Sequence, residues 1–198
     1  MTSFETRTAD HDILPLFLER WSPRAFTGEA MERADLMRIF EAARWAPSGY
    51  NSQPWRFLYA LRDTPAWFTF LGLLVEGNRE WAHRAAVLII AVSKETMRPA
   101  GRDTDIPSHS HSFDTGAAWA CLALQATAMG WHAHGMGGFD MKRAAAELRV
   151  PSGYRVEAAI AIGRRGDKSV LPEAAQAREA PNQRNPVRDF AFEGGFTV

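Results

Sequence analysis

The sequence predicts an α+β fold, one sheet with helices packed on its faces, and three observations lead there. Helical and strand-like segments alternate irregularly, without three or more even βαβ units. The glycine pattern that opens a Rossmann dinucleotide fold is missing. A length of 198 residues with 46% hydrophobic side chains is enough to bury one core, and no repeat or linker divides it. A single domain spanning 1–198 is therefore expected.

The elements follow in order. Residues 10–20 read as a helix, with Asp10 or Asp12 as caps and Ile13, Leu14, Phe17 and Leu18 on one face. Residues 32–46 form a clearer amphipathic helix through Leu36, Ile39, Phe40 and Ala43, stopped by Pro47. A bend, Pro47 to Pro54, then leads into a strand over 55–61. Asp63 and Pro65 open a short helix over 64–74, and β-branched residues make 86–93 a buried strand. Residues 94–112 are polar and broken, the pattern of an exposed loop. An Ala-rich helix over 113–129 has little bulk, so other helices can approach it closely, and Gly130 ends it. A strand begins at 131–134, Asp140 caps a helix reaching 149, and 154–163 is a strand. The stretch 164–198, rich in Pro, Ala and Arg, cannot form a core alone and is expected to lie extended over a partner subunit.

Composition excludes several function classes. Basic and acidic residues balance at 23 each, so no global field draws nucleic acid or an anionic membrane. No apolar run approaches the roughly 20 residues of a membrane span, and the start, MTSFETRTADHD, lacks a signal peptide's basic and apolar regions. The single Cys121, in an apolar run, reads as a small buried hydrophobe, which fits a reducing cytoplasm.

Four constellations carry polar chemistry. Arg20, Ser22 and Arg24 share one parity after a helix, and two guanidiniums flanking a hydroxyl suit a phosphate. In the bend RWAPSGYNSQPWRF, Pro and Gly account for the change of direction but not for Ser48, Asn51, Ser52 and Gln53, which are placed to hold something polar. Gly135 to Asp140 follows a strand and opens a helix, and its glycines let backbone approach a flat ligand. His109, His111, His132 and His134 form two pairs, but no carboxylate or Cys completes a recognised metal spacing, so no metal site is expected. No G-x-S-x-G nucleophile elbow is present.

Taken in order, R-W-S-P-R-A-F, A-A-R-W-A-P-S-G-Y-N-S-Q-P-W-R-F, M-G-G-F-D, V-P-S-G-Y-R-V-E-A-A-I-A-I-G-R and N-Q-R-N-P resemble the FMN-dependent nitroreductase family from about Arg20 to Arg184. The resemblance implies a nitroreductase-like sandwich, a central mixed or antiparallel sheet flanked by helices, in an intertwined homodimer with FMN at the subunit interface. It implies that Arg20, Ser22 and Arg24 hold the phosphate and ribityl chain, with Arg24 reaching the flavin pyrimidine and Arg184 a second phosphate ligand. Pro47, Ser48 and Asn51 then contact the same flavin from the other subunit, Gly137 and Gly138 line the isoalloxazine, and Asn78 binds the pyrimidine edge. Trp21 stands where the family often has a second basic residue, and Glu80 and Trp81 where a Lys often follows the asparagine. The implied activity is two-electron transfer from NAD(P)H through FMN to a planar acceptor such as a nitroaromatic or quinone, with no catalytic side chain. Tyr50, His111 and Phe113 are the candidates for the substrate side. The alternatives are oxidase or dehalogenase chemistry on the same scaffold, and a flavin-binding protein without turnover.

Overall fold

The computed structural model describes residues 7–196. The first six residues, part of the start read as lacking a targeting segment, and the last two of the tail lie outside the described residues. Four strands form an antiparallel sheet in the order β1 (Trp55–Leu61), β2 (Val87–Lys94), β6 (Tyr154–Gly163), β5 (His132–Met136). Two short strands, β3 (Thr96–Met97) and β4 (Ile106–Pro107), pair separately.

The two central strands explain the layering. Side chains alternate faces along a strand, and here both faces are covered. Val87, Ile89 and Ala91 of β2, with Ile160 and Ile162 of β6, pack against α2 (Arg33–Arg44) and α5 (His111–Ala128). Leu88, Ile90 and Val92, with Ala159 and Ala161, face α3 (Trp67–Leu73), α4 (Glu76–Ala82) and α6 (Met141–Glu147). The outcome is a helix–sheet–helix sandwich in which β2 is apolar and buried from Val87 to Val92, as the sequence of 86–93 requires.

Several elements depart from expectation. The first helix, α1, is only Pro15–Glu19, because Pro15 sits at its N1 position. Asp10 caps nothing; its carboxylate accepts the Val187 N–H at 2.9 Å. The apolar face of this helix is not buried, with Leu14 68% and Phe17 51% exposed. The helix expected over 64–74 begins only at Trp67, after a turn that contains the left-handed Asp63. The loop after β2 is partly ordered by the β3–β4 pair, and Asp105 ties it by accepting from Lys94 at 2.8 Å and Arg98 at 2.7 Å. Helix α5 buries Ala118, Leu122, Ala123 and Ala126 on one face but leaves Phe113 81% exposed on another. It is thus half-buried within one chain. Among the described residues no helix is long and apolar enough to cross a membrane.

The segment after α1 is fixed to the sheet by backbone. Thr27 N–H donates to Arg164 O at 3.0 Å and Gly166 N–H to Ala25 O at 2.7 Å, with Phe26 bridged to Arg165. Phe26 is fully buried, and a Cβ on Gly163 would lie 2.7 Å from its ring. Only glycine lets strand and ring approach this closely.

Candidate cofactor site

Residues 20 to 26 show how a short extended segment sorts its side chains. Trp21, Pro23 and Ala25 are buried, while Arg20, Ser22 and Arg24 turn to the other side. The expected alternation is therefore present, and it places two guanidiniums and a hydroxyl on the wall of one cavity of about 580 Å³. Arg20 Nη1 donates to Ser22 Oγ at 3.3 Å. The same cavity is lined by Arg184 and Arg178 from the C-terminal segment, by Arg7 and by His134. Arg184 donates to its neighbouring carbonyls, Asn182 O at 3.3 Å and Gln183 O at 2.9 Å. A second cavity, of about 400 Å³, shares Arg20 and Ser22 but is otherwise faced by Phe17, Gly135 and the α5 residues Trp119, Ala120, Ala123 and Leu124. One side of the Arg20–Ser22 wall is thus cationic and the other largely apolar, the two environments that a phosphorylated flat ligand needs.

Glu179, which sequence reasoning missed, and His134, which it weighed only as one of a histidine pair, hold this wall. Glu179 carries a buried carboxylate whose Oε1 accepts the backbone N–H groups of Arg24 at 2.7 Å and Ala25 at 2.8 Å, and whose Oε2 lies 4.0 Å from Arg24 Nη1. His134, on β5, places Nδ1 3.0 Å from Pro23 O and its ring 4.7 Å from the Trp81 ring centroid. No local pattern marks either contact, because each partner is more than a hundred residues away.

Burial pushes the His134 imidazole down to about 4, with Arg24 and Arg20 nearby adding to the effect against a hydrogen bond to Pro23 that opposes it. Burial, with Arg165, Arg164 and Arg20, also pushes His132 down to about 4. Both are neutral at pH 7. Against an unfolded value of 6.5, the unfolded chain binds more protons between pH 6.5 and 4, so stability is complete above that window and is lost as pH falls through it. From pH 7 to pH 5 each imidazole costs about 2 kcal/mol. Denaturant midpoints at the two pH values are expected to show this loss, and His134→Gln to flatten the slope; equal midpoints at pH 5 and 7 refute it.

The bend forms a separate structure. Residues Gly49–Asn51 make one 3₁₀ turn, and Tyr50, Asn51 and Gln53 all adopt left-handed φ of 52°, 53° and 47°. Each such non-glycine residue costs on the order of 1 kcal/mol, so the surroundings must impose the shape. Ser48 Oγ accepts the Gln53 N–H at 3.0 Å, and the Gly49 N–H donates to Asp114 Oδ2 at 3.1 Å. Asp114, on α5 and 3% exposed, also accepts from Ser110 Oγ at 2.8 Å. A Cβ on Gly49 would meet that hydroxyl at 2.8 Å. Pro47, Tyr50 and Asn51 remain exposed.

The remaining predicted residues fall in two further places. Asn78 Nδ2 donates to Gly138 O at 2.9 Å, so Asn78 and Gly138 meet, and a Cβ on Gly138 would lie 2.7 Å from that amide. Gly137 has open space where a side chain would stand. With Ser93 Oγ donating to Glu157 at 2.6 Å, the His111 Nδ1–H donates to Ser93 Oγ at 2.7 Å, so His111 belongs to a part-buried polar cluster completed by Ser112. Phe113 and Tyr50 are 81% and 77% exposed. Of the predicted cofactor residues, one chain brings Arg20, Ser22, Arg24 and Arg184 together and pairs Asn78 with Gly138; Pro47, Ser48 and Asn51 do not line either cavity.

The sequence profile of the Nitroreductase family matches residues 18–66 and 61–164, which include the Arg20 segment, the bend and the Gly137–Gly138 turn. The chain belongs to the nitroreductase family. A crystal structure described as an oxidoreductase containing FMN is 48% identical and superposes with a TM-score of 0.94 over 100% of this chain and 99% of that one. An uncharacterized 15.4 kDa protein of Mycolicibacterium smegmatis is 38% identical over 127 residues, 64% of this chain and 81% of that protein. A Streptomyces coelicolor protein whose name gives NADH dehydrogenase/NAD(P)H nitroreductase is 36% identical over 75 residues, 38% of this nitroreductase-family chain and 37% of that protein.

Proposed function

We infer that this chain is an FMN-dependent oxidoreductase, one domain in a cytoplasmic homodimer, that takes two electrons from NAD(P)H and passes them to a planar acceptor such as a nitroaromatic or quinone. The observation that carries the reading is the convergence of Arg20, Ser22, Arg24 and Arg184, from segments far apart in sequence, on one cavity. Such a donor set fits a phosphomonoester, since guanidiniums make paired charge-assisted hydrogen bonds to its oxygens. The 48% identical structure that contains FMN supports the choice of flavin, and the name of the Streptomyces relative supports the reductant.

FMN, when bound, supplies the hydride and electron chemistry. The protein's part is to bind and orient. Arg20, Ser22 and Arg184 would hold the phosphate, and Arg24, kept in place by Glu179 through its own backbone, would serve the ribityl chain and pyrimidine. The open backbone at Gly137 and the Asn78–Gly138 pair would flank the ring system. Pro47, Ser48 and Asn51 would reach a flavin held by the other subunit. Their exposure, the strain held in the bend and the uncovered apolar residues Leu14, Phe17 and Phe113 on α1 and α5 support that assembly. Tyr50 and Phe113 would stack on the acceptor, while His111 would act on it only from within the Ser93–Glu157 cluster.

The test is the visible spectrum of the purified protein, followed by anaerobic NADH and NADPH. Flavin bands that bleach with either nucleotide are expected. A colourless protein that takes up no added FMN ends this reading, and bound flavin that neither nucleotide reduces removes NAD(P)H from it.

A further inference from the structure

Arg7 lies outside every motif described above, yet it stands on the wall of the cationic cavity with Arg20 and Arg184. The fold brings it there deliberately. Thr8 N–H donates to Gln183 Oε1 at 3.3 Å and Asp10 accepts from Val187 N–H at 2.9 Å, so the segment carrying Arg7 is laced to the segment carrying Arg184. Its Nη1 donates to Leu18 O at 3.0 Å and Arg20 O at 2.7 Å, the carbonyls at the end of α1. These two bonds fix the guanidinium beside Arg20, and its Nε is buried without a partner.

Closing the end of a helix is one task for an arginine in that position. That task alone does not call for a site next to two more guanidiniums. The ion pairs among the described residues include none to Arg7, Arg20 or Arg184. Three like charges gathered with no ion pair to a described carboxylate repel one another, and an anion between them turns that repulsion into binding. We propose that Arg7 is the third guanidinium of an anion clamp formed with Arg20 and Arg184, whose ligand is a phosphomonoester dianion. On the reading under Proposed function, on which this assignment rests, that dianion is the flavin phosphate. The mutual crowding has a separate sign: burial first, then Arg184 and Arg20, lower the Arg7 pKa, and burial and Arg184 lower that of Arg20.

The full-length protein, freed of flavin, tests this through Arg7→Gln, which keeps N–H donors for the Leu18 and Arg20 carbonyls, and Arg7→Lys, which keeps the charge. Dissociation constants for FMN and riboflavin are measured by fluorescence quenching. The rise in melting temperature caused by inorganic phosphate is measured against chloride at equal ionic strength. Arg7→Gln is expected to weaken FMN about tenfold or more, to leave riboflavin within about twofold, and to remove at least about half of the phosphate effect, with Arg7→Lys between. FMN within about twofold of wild type overturns the clamp, and so does equal weakening of FMN and riboflavin, which is the mark of a helix-end role alone. If the wild type binds no flavin, the phosphate assay decides: stabilisation that depends on Arg7 upholds the clamp while the flavin reading falls, and its absence from the wild type overturns both.

Discussion

Glu179→Ala is expected to lower the stability of the folded chain by about 3 kcal/mol and to release the Arg20–Arg24 wall of the cavity at the same time. Both effects have one origin. The carboxylate accepts the N–H groups of Arg24 and Ala25, and its side chain is only 4% exposed. Truncation leaves two buried donors unpaired, each costing about 1–3 kcal/mol. For a chain of this size a loss of about 3 kcal/mol corresponds to a fall of roughly 10 °C in Tm. Glu179→Gln keeps an oxygen in the same place and should recover most of the stability. Because Arg20, Ser22 and Arg24 project from that backbone, FMN affinity should fall with the Ala variant by about tenfold. Thermal melts and flavin titration measure the two together. An Ala variant that melts with the wild type shows that water or a rearranged segment replaces the carboxylate.

The same contact shows what the sequence could reveal and what it could not. Alternation within Arg20–Arg24 is local, so parity alone predicted that Ser22 would stand with the two arginines. Strands Trp55–Leu61 and Tyr154–Gly163 lie at the residues their apolar pattern marked. Helix α4 was missed because Glu-Gly-Asn-Arg-Glu-Trp-Ala buries only Trp81 and Ala82 and offers no repeating apolar face. Glu179, His134 and Asp114 act across long separations, on backbone groups that have no residue-type signature. Arg7 and Arg184 likewise meet only because the segments 7–10 and 183–187 are laced together. The apolar residues of α1 misled for the opposite reason: their pattern is amphipathic, yet Ile13, Leu14 and Phe17 stay exposed within the chain. Charge, too, hid the site, since an overall balance of 23 basic and 23 acidic residues contains a cavity lined by five arginines.

That local excess makes the double variant Arg20→Ala/Arg184→Ala the most severe test of ligand binding. Each guanidinium that contacts a phosphate contributes about 1.5–3 kcal/mol through charge-assisted hydrogen bonds. Removing both should raise the FMN dissociation constant by roughly a hundredfold to ten-thousandfold. The two share one anion, so the single variants will not sum to the double. Riboflavin, which lacks the phosphate, should lose far less. The empty protein should respond with the opposite sign: Arg20 and Arg184 repel each other without a ligand, and their removal should leave the flavin-free chain as stable as wild type or more so. General damage to the fold cannot produce that combination, because it lowers stability and both affinities together. If FMN binds the double variant as well as the wild type, the five arginines serve another anion, and the flavin belongs elsewhere on the chain.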